Sequence, residues 1–469
     1  MVRAIKVGIV TVGVVVALML WLGPSLHAEL SDHGQRAIGL FVLAIGLWVT
    51  NLIPLAATSL LVLALLALLE VLPGPRPAQA AFAAFGNRAV FFILGVFVLA
   101  AAMLQSGLST RLTLLFISKF DKSPRRLLGG LLFTASFSAW WMPEHAVAAM
   151  MFPIVVEIAQ ALELPRKGKS VYARQLFLTM AWGAILGGIA TFLGGARALL
   201  AIGILGQSHP DQNISFVQWV IAAGPLSIIL TISAFLYLAC VIKPDIDDVS
   251  RARQLLENRV RQLGPMSGRE IRMAALMLAT ILAWVLGSHA LEPAAVSLVA
   301  AVAVFVLRIA DWRKVEGYVN WGVILMYGGA VALGMAMDKS GAMEWIGQTV
   351  LSIEVKPLVL ILILAATTLL MTEAVSNAAA VAVMLPLALA LAAKNSLEPT
   401  TLCYVIALPA GLAFSLPISS PPAAIAYSSG YYGIRQAARH GLIMTLISLV
   451  AFMLVARYYW PLVGINIDF

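Results

Sequence analysis

Two short clusters of polar residues sit inside otherwise apolar sequence, and their makeup sets the chemical question. One lies in Ala139–Ile154, AWWMPEHAVAAMMFPI, and brings Glu144 and His145; the other lies in Met371–Leu387, MTEAVSNAAAVAVMLPL, and brings Thr372, Glu373, Ser376 and Asn377. In hydrocarbon each such group needs a partner or water, so a helix that merely crosses a bilayer has no use for them. Glu144 and Asn377 are 233 positions apart, as are Pro153 and Pro386, and the chain reads as two copies of one device. Polar side chains in membrane helices also serve simply to hydrogen-bond a neighbouring helix. His145 has the further plain reading of a buried histidine with a backbone partner. Two clusters in register favour a paired site over those readings.

The elements that carry the clusters must span a membrane. Of the 469 residues 61% are hydrophobic and 11% charged, against roughly a quarter charged in a soluble domain. The net charge of +9 need not mean a nucleic-acid partner, because cytoplasmic membrane loops accumulate Lys and Arg. Cys240 and Cys403 lie in apolar runs without ligand spacing, so neither a disulfide nor a metal site is expected. Ala4–Gly23 follows Arg3 and Lys6 like a signal peptide; without a small-residue cleavage site after it, it reads as a retained first helix.

Apolar runs predict spans at Val7–Leu22, Ala37–Ile53, Thr58–Val71, Ala89–Leu104, Leu176–Leu193, Phe216–Ile242, Ala274–Leu291, Ala294–Ile309, Trp321–Ala336, Leu402–Leu416 and Leu442–Trp460. Leu127–Ala161 and Pro357–Ala393 are too long for one span and are interrupted at Met142–His145 and Ser376–Asn377, as re-entrant hairpins would be. The fold class is therefore an all-α polytopic membrane protein with about 11 transmembrane helices plus two re-entrant hairpins in two inverted repeats. Residues 1–80 form N-terminal scaffold helices and 81–242 the first repeat, with hairpin 127–161 and broken helix 176–206. Residues 243–272 are a cytoplasmic linker, and 273–469 hold the second repeat, with hairpin 357–393 and broken helix 402–432, and the last helix. Phe91–Gly107 matches Val323–Gly341 in pattern and ending.

Charge gives an independent reading of the topology. With the N-terminus inside, 23 of the 31 Lys and Arg fall on inner loops and seven outside, among them Lys394. This is the bias of a multi-pass inner or plasma membrane protein with its C-terminus outside. Arg197 falls on neither side. It belongs to a helix break at membrane depth.

Four breaks are expected: the hairpin tips at Pro143–His145 and Ser376–Asn377, and the interruptions at Gly194–Arg197 and Ser419–Pro422. Non-helical backbone persists at such depth only where it is buried in protein or lines a wet cavity. After each break a half-helix begins, and a helix N-terminus offers free N–H donors and about half a positive charge. Pro421 and Pro422 suit the first turn of such a helix. Four converging N-termini make a site for a small anion, with Glu144, His145, Gly195, Arg197, Ser376, Asn377, Ser420 and Pro421 as its substrate-binding residues.

With these residues in view, WVTNLIPLAATSLL at Trp48–Leu61, the TEAVSNAAAVAVMLP hairpin and SLPISSPPAAI at Ser415–Ile425 resemble the divalent anion/sodium symporter family. The resemblance runs along nearly the whole chain. It implies eleven spans, one hairpin per repeat, a homodimer, elevator-type alternating access, and cargo among dicarboxylates, tricarboxylates and sulfate. It also implies no enzyme activity. The family's tips read Ser-Asn-Thr and its breaks Thr-Pro-Pro-Asn. The second half here keeps most of this, as Ser376-Asn377-Ala378 and Ser420-Pro421-Pro422-Ala423. The first half has Pro143-Glu144-His145 and Gly195-Ala196-Arg197-Ala198 instead.

By the match, Thr372, Val375, Asn377 and Ser419 would supply oxygens to one Na+, the sole cofactor implied. At the first site Glu144 and Arg197 are expected to pair, the guanidinium standing where a sodium would, or else reaching the substrate itself. Glu373 reads as a structural hydrogen-bond partner in preference to a proton carrier. The function expected is secondary active transport of small divalent anions, foremost dicarboxylates, sodium-coupled at one site at most, with proton coupling or exchange as open alternatives. Rivals are a carrier of another oxyanion or a citrate-type substrate, and a membrane-embedded hydrolase using Glu144 and His145. The last lacks any HExxH or GxSxG spacing.

Overall fold

Apolar sequence in a bilayer must satisfy its backbone internally, and a helix does so within one segment. The computed structural model is accordingly helical; it describes residues 2–24, 27, 29–166, 168–287, 290–350, 356–392 and 397–465. Lys167 and Lys394 of the charge count, and the predicted end of the second hairpin at Ala393, lie outside the described residues.

The first helices are α1 (Val2–Leu22), α2 (Asp32–Thr50) and α3 (Leu55–Leu68). Then come α4 (Pro77–Phe85), α5 (Arg88–Ser106), α6 (Leu108–Ile117), α7 (Pro124–Ser138), α8 (Glu144–Ala161), α9 (Val171–Gly187), α10 (Ala196–Ser208) and α11 (Phe216–Phe235). The polar linker holds α12 (Ser250–Gln262). The second half comprises α13 (Gly268–Leu286), α14 (Pro293–Val306), α15 (Trp312–Glu316), α16 (Trp321–Lys339), α17 (Ala342–Trp345), α18 (Pro357–Ala374), α19 (Asn377–Ala392), α20 (Pro399–Ala407), α21 (Pro421–Ser428) and α22 (Ile434–Leu454).

Each of the eleven expected spans overlaps a helix, but α9 ends short of Leu193 and α20 well short of Leu416. Among the described residues seven helical stretches are long and apolar enough to cross a membrane unaided. The remaining spans are shorter apolar helices such as α3 and α14, helices with charged first turns such as α2 and α13, or helices in two pieces. The first hairpin is α7 with α8 and the second α18 with α19.

The two halves pack as repeats. Helix α3 lies on α16, and α5 lies on α14. After its break each split helix crosses to the other half: α10 packs on α19, and α21 packs on α8. The ends of α5 and α16 share one turn. Ser106 Oγ donates to Met103 O and Ser340 Oγ to Met337 O, and the following Gly107 and Gly341 have φ of 84° and 76°. Glycine takes that left-handed conformation without steric cost.

Both interruptions are longer than the sequence suggests. Helix α9 stops at Gly187, so the first break begins well before Gly194, and Arg197 lies in the first turn of α10. A methyl on Gly187 would meet Ser136 O at 1.9 Å, so only glycine lets α7 and α9 come this close. Helix α20 stops at Ala407, where Pro409 has no N–H to continue the ladder. One 3₁₀ turn, Pro409–Gly411, follows before the chain opens out.

Candidate functional site

Local sequence chemistry starts a helix at each of four points. Pro143 is extended at φ −55°, ψ 137°, and α8 begins at Glu144. Gly195 is extended before α10, and Ser420 is extended before the Pro421-Pro422 start of α21. Ser376 Oγ accepts the Ala379 N–H at 3.2 Å, the cap expected of serine ahead of α19.

All four helix starts border one cavity of about 340 Å³, within the usual size range of small-molecule sites. Its wall includes Glu144, His145, Gly195, Arg197, Ser376, Asn377, Ser419, Ser420 and Pro421. Thr372 and Val375 are not part of that wall and lie behind it.

A polar network joins the halves behind the cavity. Arg197 Nη1 donates to Glu144 Oε2 at 3.0 Å, with both residues buried. The other carboxylate oxygen, Glu144 Oε1, accepts from Asn377 Nδ2 at 3.5 Å. Thr372 Oγ lies 2.8 Å from both Asn377 Oδ1 and Ala410 O, its hydroxyl donating toward them. Val375 and Ser419 bond elsewhere: Val375 N–H to Met371 O and Ser419 Oγ to Leu416 O at 2.6 Å. Thr372 and Asn377 of the expected sodium set are thus joined to each other, and no hydrogen bond ties Val375 or Ser419 to them.

The Arg197 guanidinium lies flat against the second break. A methyl on Gly411 would fall 2.2 Å from its Nε and 2.4 Å from its Cζ. Glycine leaves the room that the guanidinium occupies where the cation from one half meets the backbone of the other. His145 is half-buried and rests edge-on to the Phe97 ring, centroids 5.9 Å apart. Glu373 accepts from the Phe414, Ser415 and Leu416 N–H groups and from the Ser415 and Thr445 hydroxyls. These bonds staple the second hairpin to the second break, and they use the carboxylate as a structural clamp. Thr191 does similar work at the first break, donating to Trp140 O and accepting from Leu193 and Gly194 N–H.

Glu144 spends both oxygens on protein partners, whereas three buried groups on the cavity wall have none among the described residues: Arg197 Nη2, Ser420 Oγ and the Tyr327 hydroxyl. Buried polar groups are nearly always paired. With four positive helix ends around them, the open valences favour an anion. Tyr327, Asn320 and Phe97 on the wall were missed in the sequence. A lone tyrosine in the middle of the apolar run Val323–Met337 was the signal for the first.

Comparison with known proteins agrees with this picture. Residues 6–466 match the family model described as the sodium:sulfate symporter transmembrane region. A sodium-dependent dicarboxylate transporter, SdcS, of Staphylococcus saprophyticus is 30% identical over 461 residues, covering 92% of this chain and 88% of that protein. The SdcS of Staphylococcus aureus is 29% identical over 489 residues, 97% of this chain and 92% of its own. Among solved structures, the Alcanivorax borkumensis YdaH transporter superposes with a TM-score of 0.56 at 14% identity, covering 91% of this chain and 99% of that one. Neisseria gonorrhoeae MtrF superposes at 0.55 and 13% identity, covering 87% and 95%. These last two speak to the helical membrane fold.

Proposed function

Because the chain belongs to the sodium:sulfate symporter family and so is a non-enzymatic secondary carrier, we propose that its cargo is a small dicarboxylate bound in the cavity between the hairpin tips. The observation that carries this reading is Arg197 Nη2, a buried guanidinium donor without a partner among the described residues, on a wall where four helices begin. A planar N–H donor suits a carboxylate oxygen. Ser420 Oγ, Ser376 and the helix N–H groups are the further donors, and Glu144 holds Arg197 in place.

Coupling is proposed to use one sodium at most, carried as cargo. Thr372 Oγ, Asn377 Oδ1 and Ala410 O gather three hard oxygens at one point, the donor type such a cation takes. In the first half the Arg197 guanidinium is proposed to stand where a sodium would, as a cation that cannot leave. The carrier is proposed to work as a homodimer with its N-terminus cytoplasmic and C-terminus outside, following the inner-loop excess of Lys and Arg. The hairpins and split helices would move together against the frame of α3, α5, α14 and α16.

The test is uptake of labelled succinate into proteoliposomes, with sulfate and citrate as competitors, with and without sodium or a pH gradient. Saturable, sodium-stimulated uptake that ignores citrate is expected. Proton-driven uptake or strict exchange would remove the sodium part. Failure of every dicarboxylate and of sulfate to enter or compete would overturn the cargo.

A further inference from the structure

Tyr327 belongs to neither hairpin nor break, yet it borders the cavity from α16, a helix packed on α3 and α4. The residue is 1% exposed and its hydroxyl has no partner among the described residues. A phenol buried in an apolar helix is costly to leave unpaired. Tyr327, Arg197 and Glu144 line the same cavity, so the phenol shares its wall with the pair that anchors the anion site. Building on the reading of the cavity as a dicarboxylate site, we propose that Tyr327 is a specificity-determining substrate contact whose O–H donates to a carboxylate oxygen whichever way the site faces.

The second half of that statement comes from the repeat. The shared Ser–Gly turn, Gly107 in one half and Gly341 in the other, sets α5 and α16 in register. In that register the mate of Tyr327 is Ile93, and both border the cavity. The rest of the lining is not shared. Helix α5 contributes Val96 and Phe97, beyond Ile93 toward its C-terminus; α16 contributes Val323, before Tyr327 toward its N-terminus, and its N-cap Asn320 lines the cavity too. The mates of Val96 and Phe97, which are Ala330 and Val331, do not border it. The cavity is therefore displaced along the frame, with Ile93 and Tyr327 at its trailing edge. Inverted-repeat carriers reach the opposite state by exchanging the roles of their halves. Exchange here moves the cavity toward Ala330 and Val331, leaves Asn320 and Phe97 behind, and keeps Tyr327 at the edge. The frame thus offers the substrate one hydroxyl in both states, and always from the second half.

The experiment uses the full-length purified protein and Tyr327→Phe, which deletes the hydroxyl and keeps the ring. Succinate binding by calorimetry is expected to weaken about tenfold or more, the usual consequence of losing a hydrogen bond to a charged group, with unliganded thermal stability unchanged. In proteoliposomes KM is expected to rise for both influx and efflux. Wild-type protein that binds succinate while Tyr327→Phe binds it equally well overturns the contact and leaves the cargo reading standing. Wild-type protein that binds no dicarboxylate overturns the cargo reading, and the contact with it. A lowered unliganded melting temperature with unchanged affinity assigns Tyr327 a packing role only. A rise in KM from one side alone overturns the two-state part.

Discussion

Glu144 and Asn377, 233 positions apart in the chain, are hydrogen-bonded to each other, Asn377 Nδ2 donating to Glu144 Oε1 at 3.5 Å. Each is the first residue of the second arm of its hairpin, α8 in one case and α19 in the other. One hairpin has a charge there and the other an amide. The amide turns its nitrogen to the carboxylate and its oxygen to Thr372, which leaves the acidic side of the junction satisfied and the donors around the cavity open.

The Glu144–Arg197 pair predicts a strongly non-additive response. Glu144→Gln leaves Arg197 buried without a counter-charge, a loss of about 3–5 kcal/mol for a buried pair. Glu144→Gln combined with Arg197→Gln is expected to recover most of that stability while abolishing succinate binding. Thermal unfolding in detergent across the double-mutant cycle reads the coupling. Additive losses would show that the two charges do not depend on each other.

Gly411→Ala places a methyl where the Arg197 side chain lies. Succinate affinity is expected to fall at least tenfold as the guanidinium is pushed from the wall, the equivalent of about 1.4 kcal/mol. Gly433→Ala, at a position where an added methyl meets nothing within 4 Å, serves as the control. Equal affinity in the two variants would mean that the guanidinium position is unimportant.

Thr372→Val keeps the shape of the side chain and removes the oxygen shared by Asn377 and Ala410. The sodium concentration for half-maximal uptake is expected to rise several-fold, with succinate binding in saturating sodium nearly intact. Uptake in wild-type protein should follow a simple hyperbola in sodium, as one exchangeable cation requires. Sigmoidal sodium dependence would mean that Arg197 has not replaced a second ion.

Glu373→Gln removes charge-assisted bonds between the second hairpin and the second break. A loss of about 1.5–3 kcal/mol in stability is expected, with the pH profile of uptake parallel to that of the wild type. A folded Glu373→Gln protein that has lost its response to a pH gradient would instead make Glu373 a proton carrier.

The chain's local chemistry already determined the helices, the two hairpins, the repeat spacing and the four helix starts. Lipid offers backbone groups no partner, so apolar runs become helices, and Pro143, Pro421 and the Gly and Ser beside the breaks decide where they restart. The pairing of Glu144 with Arg197 could be argued because two buried charges need each other. Only the tertiary structure decided what the freed ends touch. The crossing of α10 to α19 and of α21 to α8 brings Arg197 onto Gly411, and nothing in the spacing of those two residues announces the contact. The same holds for Tyr327. Its neighbours in sequence are apolar, and it borders the cavity only because α16 is packed beside the helices that build the rest of the wall. Periodicity and breakers are local, whereas a site assembled from two half-helices and a frame helix exists only once long-range packing has chosen which ends meet.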